Sequence, residues 1–340
     1  MSITNISLFK RTNKYWYLTF EDNGRLRWKS TGCTSKKDAL EFLNEFRHRK
    51  VTTSAATPLT QFISEFLDYA GSTYSKGTVN IYRSTLRCFH RLLGDIFLSQ
   101  ISSRHIDRFK TERLKDIKPV TVNIELRTLR AAFNTAKRWK LIETNPCDDV
   151  KLLKVVAEFP CYFSKADLCS MINVIKEQWL KEITIFAVST GMRRGEILNL
   201  RWHDIDLENR SVKIHSSPTY KVKMGKCRIV PLNDIAWVLL KSQKKNSTSE
   251  YVFTLNGKNI FPGWVQAKFK RYVRLLGLDD RLHFHSLRHT FASWLVQDGV
   301  SLYEVQKLLG HSNISVTQVY AHLQPERLHS TVNRISIALN

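Results

Sequence analysis

The sequence lacks several features that would assign it to other protein classes. It has no long apolar run, and it shows no signal peptide or lipidation motif. Its six cysteines have neither the paired spacing of a zinc site nor the density of a disulfide framework. We therefore expect a protein of the reducing cytoplasm that has no membrane partner.

Acidic residues are also scarce relative to basic ones. The chain of 340 residues has 53 Lys and Arg against 30 Asp and Glu, which gives a formal net charge of +23. The excess is spread along the chain, at +6 over 1–57, +5 over 58–150 and +12 over the remainder. A basic tail would concentrate this charge in one run, so the pattern predicts several folded surfaces that contact one long polyanion such as DNA.

The N-terminal region predicts a small β-α domain over residues 1–50. The run YWYLTF and the segment RLRWKSTG flank the turn signal EDNG, which is typical of a β-hairpin. A helix pattern follows, and its apolar face consists of Ala39, Leu40, Leu43 and Phe46. Residues 51–57 are small and polar, which predicts a linker.

Residues 58–146 predict an all-helical domain of four helices. In the second helix a basic stripe repeats every four residues, and it consists of Arg83, Arg87 and Arg91. Beside it lie the apolar positions Ile81, Leu86, Phe89 and Leu93. Acidic partners at the same spacing are missing from this helix pattern. The stripe therefore predicts contact with DNA phosphates, and a merely solvated helix face is the alternative.

The remainder of the chain predicts a mixed domain with a tail. Residues 147–160 follow the helix stop Asn145-Pro146 and predict an interdomain linker. Over 161–326 two helix patterns, at 164–179 and 180–191, precede the strand patterns SVKIH and CRIVPL, and helices then dominate. Residues 327–340 predict a tail helix whose apolar face consists of Leu328, Val332, Ile335 and Leu339. The expected fold is multidomain and mainly α with small β-sheets.

Four segments carry residue types that suit phosphodiester chemistry. They are TGMRRGEILNLRW with Arg193, KMGKCRIVPL, HFHSLRHTFASWL with His285 and Arg288, and LLGHSNISVTQVYAHL with Tyr320. Each has an ordinary alternative when taken singly, such as a salt bridge between Arg193 and Glu196. In their order, spacing and flanking residues they together resemble the tyrosine recombinase (phage integrase) family. The resemblance makes Glu196 a structural support for Arg193.

The resemblance implies a covalent nucleophile and a pair of cations. Tyr320 would attack the scissile phosphate, and Arg193 and Arg288 would bind its nonbridging oxygens with fixed charge and directed N–H donors. Arg194 is the rival of Arg193, and Tyr303 is the rival of Tyr320. The flanking residues of the family motifs favour Arg193 and Tyr320.

The same resemblance assigns roles to two histidines and a lysine. His285 would accept or return the tyrosine proton, His311 would hydrogen-bond the phosphate, and Lys223 would protonate the leaving 5′ oxygen. Lys221 and Lys226 flank Lys223 and are its rivals, although the spacing to the VPL segment favours Lys223.

Local signals around the nucleophile predict two helices. Ser301 with Glu304 forms a capping box, and Gly310 ends the first helix. Ser315 begins a second capping box, which would place Tyr320 in the second turn of another helix.

The neighbouring histidines allow a metal site as an alternative. His283, His285 and His289 lie close together in sequence, but no carboxylate or cysteine completes a ligand set nearby. We therefore expect neither a metal nor another cofactor.

The resemblance implies a site-specific DNA recombinase that works through 3′-phosphotyrosyl intermediates and a Holliday junction. Its partners would be double-stranded attachment sites and three further copies of the chain in a tetramer on DNA. A host DNA-bending protein and a directionality factor stay open as additional partners. The expected location is the cytoplasm of a prokaryotic cell or phage-infected host, at the nucleoid.

The domain order favours an integrase. The first domain resembles the arm-type DNA-binding domain of phage and conjugative-element integrases, the second the core-binding domain and the third the catalytic domain. Integration of a viral genome or another mobile element is the expected activity. The alternatives are Xer-like resolution of chromosome or plasmid dimers, a type IB topoisomerase, and a noncatalytic DNA-binding protein. The first domain could instead bind protein, and the tail helix could pack on its own subunit rather than on a neighbour.

Overall fold

The structure is a computed structural model that describes residues 3–12, 14–22, 25–51, 57–156, 158–216, 227–245 and 247–324. The chain divides into two compact units, Met1–Val156 and Ala157–Asn340. Within the described ranges, every helix is too short or too polar to traverse a lipid bilayer.

A three-stranded antiparallel sheet begins the first unit. Its strands β1 (Ile3–Lys10), β2 (Trp16–Asp22) and β3 (Arg25–Ser30) pair in the order β1-β2-β3. Helix α1 (Lys36–Val51) follows. The predicted hairpin and helix are confirmed, whereas β1 is absent from the sequence prediction. A register shift in β1 interrupts the two-residue alternation on which such a prediction depends.

A small core joins this sheet to α1. Leu18 and Phe20 of β2 are buried together with Leu43 of α1. Leu40, by contrast, is 44% exposed, so the predicted apolar face of α1 is wrong at that position. Ala39 and Leu43 of the predicted face are buried. The side chain of Phe46 lies outside the described residues, and so do residues 52–56 of the predicted linker.

Four helices complete the first unit, namely α2 (Leu59–Thr73), α3 (Lys76–Leu93), α4 (Ser103–Asp116) and α5 (Pro119–Arg138). Ser75 caps α3, because its hydroxyl oxygen accepts a hydrogen bond from the Thr78 amide at 3.3 Å. The core combines aliphatic side chains with five phenylalanines that are at most 1% exposed, namely Phe62, Phe66, Phe89, Phe109 and Phe133. The four predicted helices are confirmed.

The second unit mixes helices with short strands. Its helices are α6 (Lys165–Val174), α7 (Gln178–Thr190), α8 (Arg194–Leu198), α9 (Asp234–Lys245), α10 (Pro262–Leu275), α11 (Ser286–Gln297) and α12 (Leu302–Leu309). Strands β4 (Ile205–Asp206), β5 (Ser211–Ile214) and β6 (Arg228–Pro231) form one antiparallel sheet, and β7 (Thr254–Leu255) and β8 (Lys258–Asn259) form another. The predicted strands β5 and β6 are confirmed, and so is the mainly α fold with small sheets.

One helix boundary in this unit differs from the prediction. The sequence predicts a continuous helix from Ser164 to Trp179, but α6 ends at Val174 and α7 begins at Gln178. The break is stabilised by Tyr272 of α10, whose hydroxyl oxygen accepts from the Lys176 amide at 3.0 Å. The same hydroxyl donates to the Glu177 carboxylate at 2.6 Å. A residue almost a hundred positions away therefore interrupts the helix.

The segment after α12 also differs from the prediction. The capping box of Ser301 and the left-handed glycine Gly310 are confirmed, with Gly310 at φ 67°. The α-helix expected from Ser315 is wrong, because two 3₁₀ helices occupy Ile314–Val316 and Gln318–Leu323. The side chain of Asn313 accepts from the Ser315 amide at 3.0 Å, which caps the first of them.

Helix α11 lies in the interior of the second unit. Leu287, Thr290 and Ala292 are fully buried, and the Thr290 hydroxyl accepts a hydrogen bond from the Phe163 amide at 3.0 Å. A helix packed in this way has few alternative positions. The side chains that it presents to the candidate site are therefore held in place.

Candidate active site

Arg288 joins three of the four motif segments. It projects from α11 and is only 3% exposed. Its guanidinium donates hydrogen bonds to the carbonyl oxygens of Gly191 and Leu309, each at 2.7 Å. These carbonyls belong to the last turns of α7 and α12, and Gly191 itself has a φ of 62°. One arginine thus holds together turns that lie 97 and 21 residues away.

Arg193 lies next to Arg288, at the N-terminus of α8. Its guanidinium donates to a carboxylate oxygen of Glu196 at 2.9 Å, and its amide donates to the other oxygen at 2.8 Å. The rival residue Arg194 contacts Gln266 instead, at 3.5 Å. Burial, followed by the positive charge of Arg193, lowers the pKa of Arg288 to about 9. Arg288 therefore stays protonated at neutral pH.

Arg228 is a site residue that the sequence reasoning missed. It begins β6, and its guanidinium forms a two-pronged pair with Glu196, at 2.9 and 2.7 Å. Burial alone would raise the pKa of Glu196, but the hydrogen bonds and charge of Arg228, with those of Arg193, lower it below its ordinary value. Only the position of Arg228 just before the VPL segment could have pointed to it. Glu196 thus binds both Arg193 and Arg228, and Arg228 is the residue at which the connection from β5 enters β6.

Replacing Glu196 with Ala should lower the free energy of unfolding by about 3 kcal/mol or more, because it leaves the Arg228 charge buried without its partner. The lowered pKa means that Glu196 stabilises the fold above its ordinary pKa of about 4.3 and loses this effect as the pH falls. The free energies of unfolding of wild type and variant, measured with urea, should therefore differ less in acid than at neutral pH.

Asp234→Ala is the matched control for this prediction. Asp234 pairs with Arg210 at 2.6 Å, but its side chain is 84% exposed. The substitution should lower the free energy of unfolding by less than about 1 kcal/mol. Equal losses in the two variants would mean that the Glu196 pairs contribute no more than a surface ion pair.

His311 follows the left-handed Gly310 and enters the same region. Its Nδ1 lies 2.9 Å from the Thr317 hydroxyl, and Thr317 is fully buried. Burial, followed by the charges of Arg288 and Arg193, lowers the pKa of His311 to about 4. A side chain at position 310 would collide with Arg228, since a Cβ there would lie 2.5 Å from the Arg228 Cδ atom. The turn at Gly310 therefore fixes where His311 points.

Tyr320 is buried at the edge of the site. Its side chain is 2% exposed and packs with Val296, Val305 and Leu309. Its hydroxyl oxygen lies 2.6 Å from Nδ1 of His289. Burial raises the pKa of Tyr320 to about 12, against the opposing effect of the Arg288 charge. The rival Tyr303 is 61% exposed.

Three histidine rings lie close together near the start of α11. The ring of His285 lies 6.3 Å from that of His283 and 5.2 Å from that of His289. Burial, followed by the charge of Arg288, lowers the pKa of His285 to about 4. Within the described ranges, no hydrogen bond joins His285 to Tyr320. The sequence reasoning considered His289 only as a metal ligand, so its contact with Tyr320 is a further feature that it missed.

A different trio has the geometry of a metal site. In the part of the chain that the structure describes, only His203, Asp204 and His215 bring three ligand atoms within 4.8 Å of one another. Nε2 of His215 lies 2.7 Å from the Asp204 carboxylate, and Nε2 of His203 lies 3.3 Å from the same oxygen. The hydrogen bonds to the Ser216 carbonyl and to Asp204 raise the pKa of His215, with the bond to Ser216 the larger cause. His203 and His215 thus share one oxygen of the Asp204 carboxylate.

Two predicted features of the second unit lie outside the described residues. Lys223, with its rivals Lys221 and Lys226, belongs to the segment 217–226. The proposed tail helix, 327–340, lies outside them as well. Both stay predictions from the sequence.

The arginine stripe of α3 lies on the surface of the first unit. Arg83, Arg87 and Arg91 are all exposed. Arg83 donates to the Asn80 side chain at 2.9 Å, and none of the three forms an ion pair with another described residue. Ile81, predicted to belong to the neighbouring apolar stripe, is 47% exposed. The charge of the stripe is therefore not cancelled locally.

The site as a whole suits an anion. The three guanidinium groups of Arg193, Arg228 and Arg288 outnumber the one buried carboxylate of Glu196, which leaves net positive charge. Burial keeps His285, His289 and His311 neutral at pH 7 by lowering the pKa of each. A phosphate group would compensate this charge and accept hydrogen bonds from Arg193 and Arg288. The tyrosine hydroxyl at the edge of the same region provides a nucleophile.

The sequence is similar to two family profiles and to several known proteins. The sequence profile described as the phage integrase family matches residues 162–327, and that of the phage integrase N-terminal domain matches residues 56–154. The tyrosine recombinase XerC of Pediococcus pentosaceus is 26% identical and covers 81% of this chain and 97% of its own length. The integrase of Salmonella phage P22 is also 26% identical and covers 97% of this chain and 94% of its own.

A solved structure has the same fold over almost the whole chain. It is a crystal structure of a lambda integrase dimer bound to a COC′ core site, and it is 19% identical to this chain. The TM-score is 0.69, and the match covers 98% of this chain and 97% of the other.

Proposed function

Because the chain belongs to the phage integrase family of tyrosine recombinases, we propose that it is an integrase that cuts and rejoins DNA at the attachment sites of a phage genome or another mobile element. Its family makes it an enzyme of DNA strand cleavage and rejoining. The observation that carries the proposal is the convergence of Arg193, Arg288, His311 and Tyr320 from separate segments of the second unit.

The geometry supports a defined division of roles. Tyr320 Oη attacks the phosphorus and forms a 3′-phosphotyrosyl bond as the bond to the 5′ oxygen breaks. Arg193 and Arg288 neutralise the nonbridging oxygens of the transition state. With its Nδ1 facing Thr317, His311 has Nε2 available to donate to the same phosphate.

The covalent intermediate makes an external energy source unnecessary. A phosphotyrosyl bond is similar in energy to the phosphodiester that it replaces, so the strand can be resealed without ATP. Lys223 is the proposed donor of a proton to the leaving 5′ oxygen, and Glu196 is the proposed support of Arg193. Neither metal nor cofactor takes part in these steps.

The number of strands that must be cut determines how many copies of the chain are needed, because each chain provides one nucleophile. Exchange between two duplexes cuts four strands, so it needs four copies of Tyr320 and hence a tetramer on DNA. Cutting two strands at a time gives a Holliday junction between the two exchanges. A DNA-bending protein and a directionality factor of the host or element would select integration or excision, and the reaction would take place at the nucleoid in the cytoplasm.

The share of this chain that each relative covers favours an integrase over a recombinase that resolves dimers. The phage P22 integrase covers 97% of this chain, whereas the Pediococcus XerC covers 81%. The β1–β3 sheet with α1, over residues 3–51, lies before the matched N-terminal profile. We propose that this sheet binds arm-type sites beside the point of exchange, as the sequence resemblance implies.

The arginine stripe should bind DNA phosphates. Replacing Arg83, Arg87 and Arg91 together with Gln should weaken binding to all DNA sequences alike. The logarithm of the binding constant falls as the logarithm of the salt concentration rises. This slope should become less steep by about 0.9 for each phosphate that the variant no longer neutralises. Titration of labelled duplex at several salt concentrations measures both effects.

Lys115→Gln is a suitable control for the stripe, because Lys115 already pairs with Glu112 at 2.9 Å. It should leave the slope almost unchanged. An unchanged slope in the triple variant would make the stripe an ordinary solvated face.

The proposed function is tested with DNA that flanks the gene, where an integrase commonly has its own attachment site. A nicked substrate from this DNA traps the covalent intermediate, because the short cleaved strand diffuses away. The wild-type protein should form an adduct that survives denaturing electrophoresis. Relaxation of supercoiled plasmid that lacks such a site would instead favour a topoisomerase, and absence of any adduct with all flanking DNA would contradict the proposal.

A further inference from the structure

Two histidines and an aspartate of the second unit lie together without a role in the proposed reaction. They are His203 and Asp204, in the 3₁₀ turn Trp202–Asp204 after α8, and His215, which directly follows β5. Nε2 of His203 lies 3.3 Å and Nε2 of His215 lies 2.7 Å from the same Asp204 oxygen. Within the described ranges, no hydrogen bond or ion pair joins the three to Tyr320 or to the arginines of the candidate site.

The ring of His215 is oriented in the way that a metal ligand requires. Its Nδ1 lies 3.0 Å from the Ser216 carbonyl oxygen, which can only accept, so Nδ1 carries a proton and donates. In the neutral ring, Nε2 then presents a lone pair to the Asp204 carboxylate at 2.7 Å. Such a short contact needs a cation between the two atoms, either a proton or a metal ion. A backbone carbonyl on the second ring nitrogen is also the usual support of a metal-binding histidine.

Asp204 is held so that one of its oxygens faces both imidazole rings. The other oxygen accepts a hydrogen bond from the Arg201 amide at 3.1 Å, and the Asp204 side chain is only 11% exposed. The Arg201 guanidinium donates to Glu250 at 3.0 Å and to the Tyr251 hydroxyl at 3.2 Å. The oxygen that faces the histidines is therefore fixed between them.

The three ligand atoms suit zinc among the divalent cations. Calcium and magnesium take oxygen ligands, whereas two imidazole nitrogens with one carboxylate oxygen suit a first-row transition metal. A tetrahedral zinc ion with bonds of about 2.0–2.1 Å separates its ligand atoms by about 3.4 Å. The 3.3 Å between His203 and Asp204 fits, and the 2.7 Å between His215 and Asp204 would lengthen by about 0.7 Å. The His215 side chain is 33% exposed, so few packed neighbours oppose that shift.

Space for a further ligand lies beside the trio. The three residues line a cavity of about 230 Å³ together with Lys213 and Glu196. A water molecule in this cavity would complete the four-coordinate shell of zinc. The exposed Lys213 opposes a cation, whereas the charge of Glu196 is already paired with Arg228. One anionic ligand facing one ammonium group predicts weaker binding than in a site with four protein ligands.

We propose that His203, Asp204 and His215 form a zinc site that joins the end of β5 to the turn after α8. The inference goes beyond the proposed function and does not depend on it, because the ion takes no part in phosphate transfer. An ion there would fix the end of the strand that precedes the segment containing Lys223. Zinc that binds only the folded chain also stabilises it, and at 100 times its dissociation constant it raises the folding equilibrium constant about 100-fold.

Zinc binding to the full-length protein, first freed of metal with a chelator, tests the proposal. Calorimetric titration with zinc chloride should show saturable binding, and zinc should raise the melting temperature. His203→Ala should weaken the zinc affinity at least about 100-fold, since loss of a residue that only supports a ligand already costs about tenfold to 100-fold. This variant should fold normally, because the His203 side chain is 62% exposed. Its melting temperature should no longer respond to the same zinc concentration.

His283→Asn is the matched control, because it removes one imidazole from the histidine cluster near the start of α11. Its zinc affinity should equal that of wild type. Absence of saturable zinc binding in wild type would leave a proton between His215 and Asp204 and would overturn the proposal. Equal affinity in wild type and His203→Ala, or a loss confined to His283→Asn, would overturn it by placing the ion elsewhere. Adduct formation on the nicked substrate reports on the proposed function separately, so either result can fail without the other.

Discussion

Tyr320→Phe should bind DNA as tightly as wild type and form no covalent protein–DNA adduct. The substitution removes one oxygen atom, which is the proposed attacking atom, and keeps the ring that packs against Val296, Val305 and Leu309. Loss of the hydrogen bond to His289 should cost only about 1 kcal/mol of stability. The fold should therefore survive while cleavage falls at least about a thousandfold.

The measurement is adduct formation on the nicked substrate, with binding followed separately by gel shift. Tyr303→Phe is the matched control, since Tyr303 is 61% exposed and contacts Lys307 rather than a histidine. It should react as fast as wild type. Undiminished adduct in Tyr320→Phe, or its loss in Tyr303→Phe, would assign the nucleophile to another residue.

Arg193→Ala and Arg288→Lys should each lower the rate of cleavage by about 100-fold or more with little change in affinity. A group that binds the phosphate mainly in the transition state affects the rate rather than binding. Lysine is the better replacement at position 288, because Arg288 is almost fully buried and also holds the Gly191 and Leu309 carbonyls. Lysine keeps the charge but cannot make the same directed pair of hydrogen bonds.

Arg194→Ala is the control for the arginine pair. Arg194 is adjacent in sequence but contacts Gln266 instead of Glu196. Arg193→Ala should keep its fold, since Glu196 retains both hydrogen bonds from Arg228. Single-turnover cleavage and equilibrium binding should be measured on the same DNA. A loss of affinity that accounts for the whole loss of rate would make Arg193 and Arg288 ordinary phosphate ligands.

Elements set by neighbouring residues could be predicted well. The Ser301 capping box and the left-handed Gly310 depend on interactions within one helical turn, and both are present. The helix expected from Ser315 failed although its signal was equally local. Asn313 caps the segment two residues earlier, and the buried contact of Thr317 with His311 favours the tighter 3₁₀ form. Side-chain contacts that the capping-box signal does not include therefore decided between the two helix types.

The candidate site could likewise be predicted only in part. The motif segments around Arg193, Arg288 and Tyr320 indicate the family and hence the chemistry, because those residue types and spacings recur with that chemistry. Their roles stay predictions, and Lys223 lies outside the described residues. Nothing in the spacing of Arg228 and Glu196, which are 32 residues apart, indicates that they form a buried pair.

The sequence by itself determined the family, the helical fold class and the residue types available for phosphodiester cleavage, since these depend on composition, periodicity and short motifs. Only the tertiary structure decided which of three neighbouring histidines contacts Tyr320, the proposed nucleophile. His285 and His289 lie one turn apart on the same helix, so periodicity places both near the site. The position of Tyr320, 31 residues further along the chain, brings its hydroxyl to His289. That choice depends on how α11 packs against the segment after α12, which no local interaction specifies.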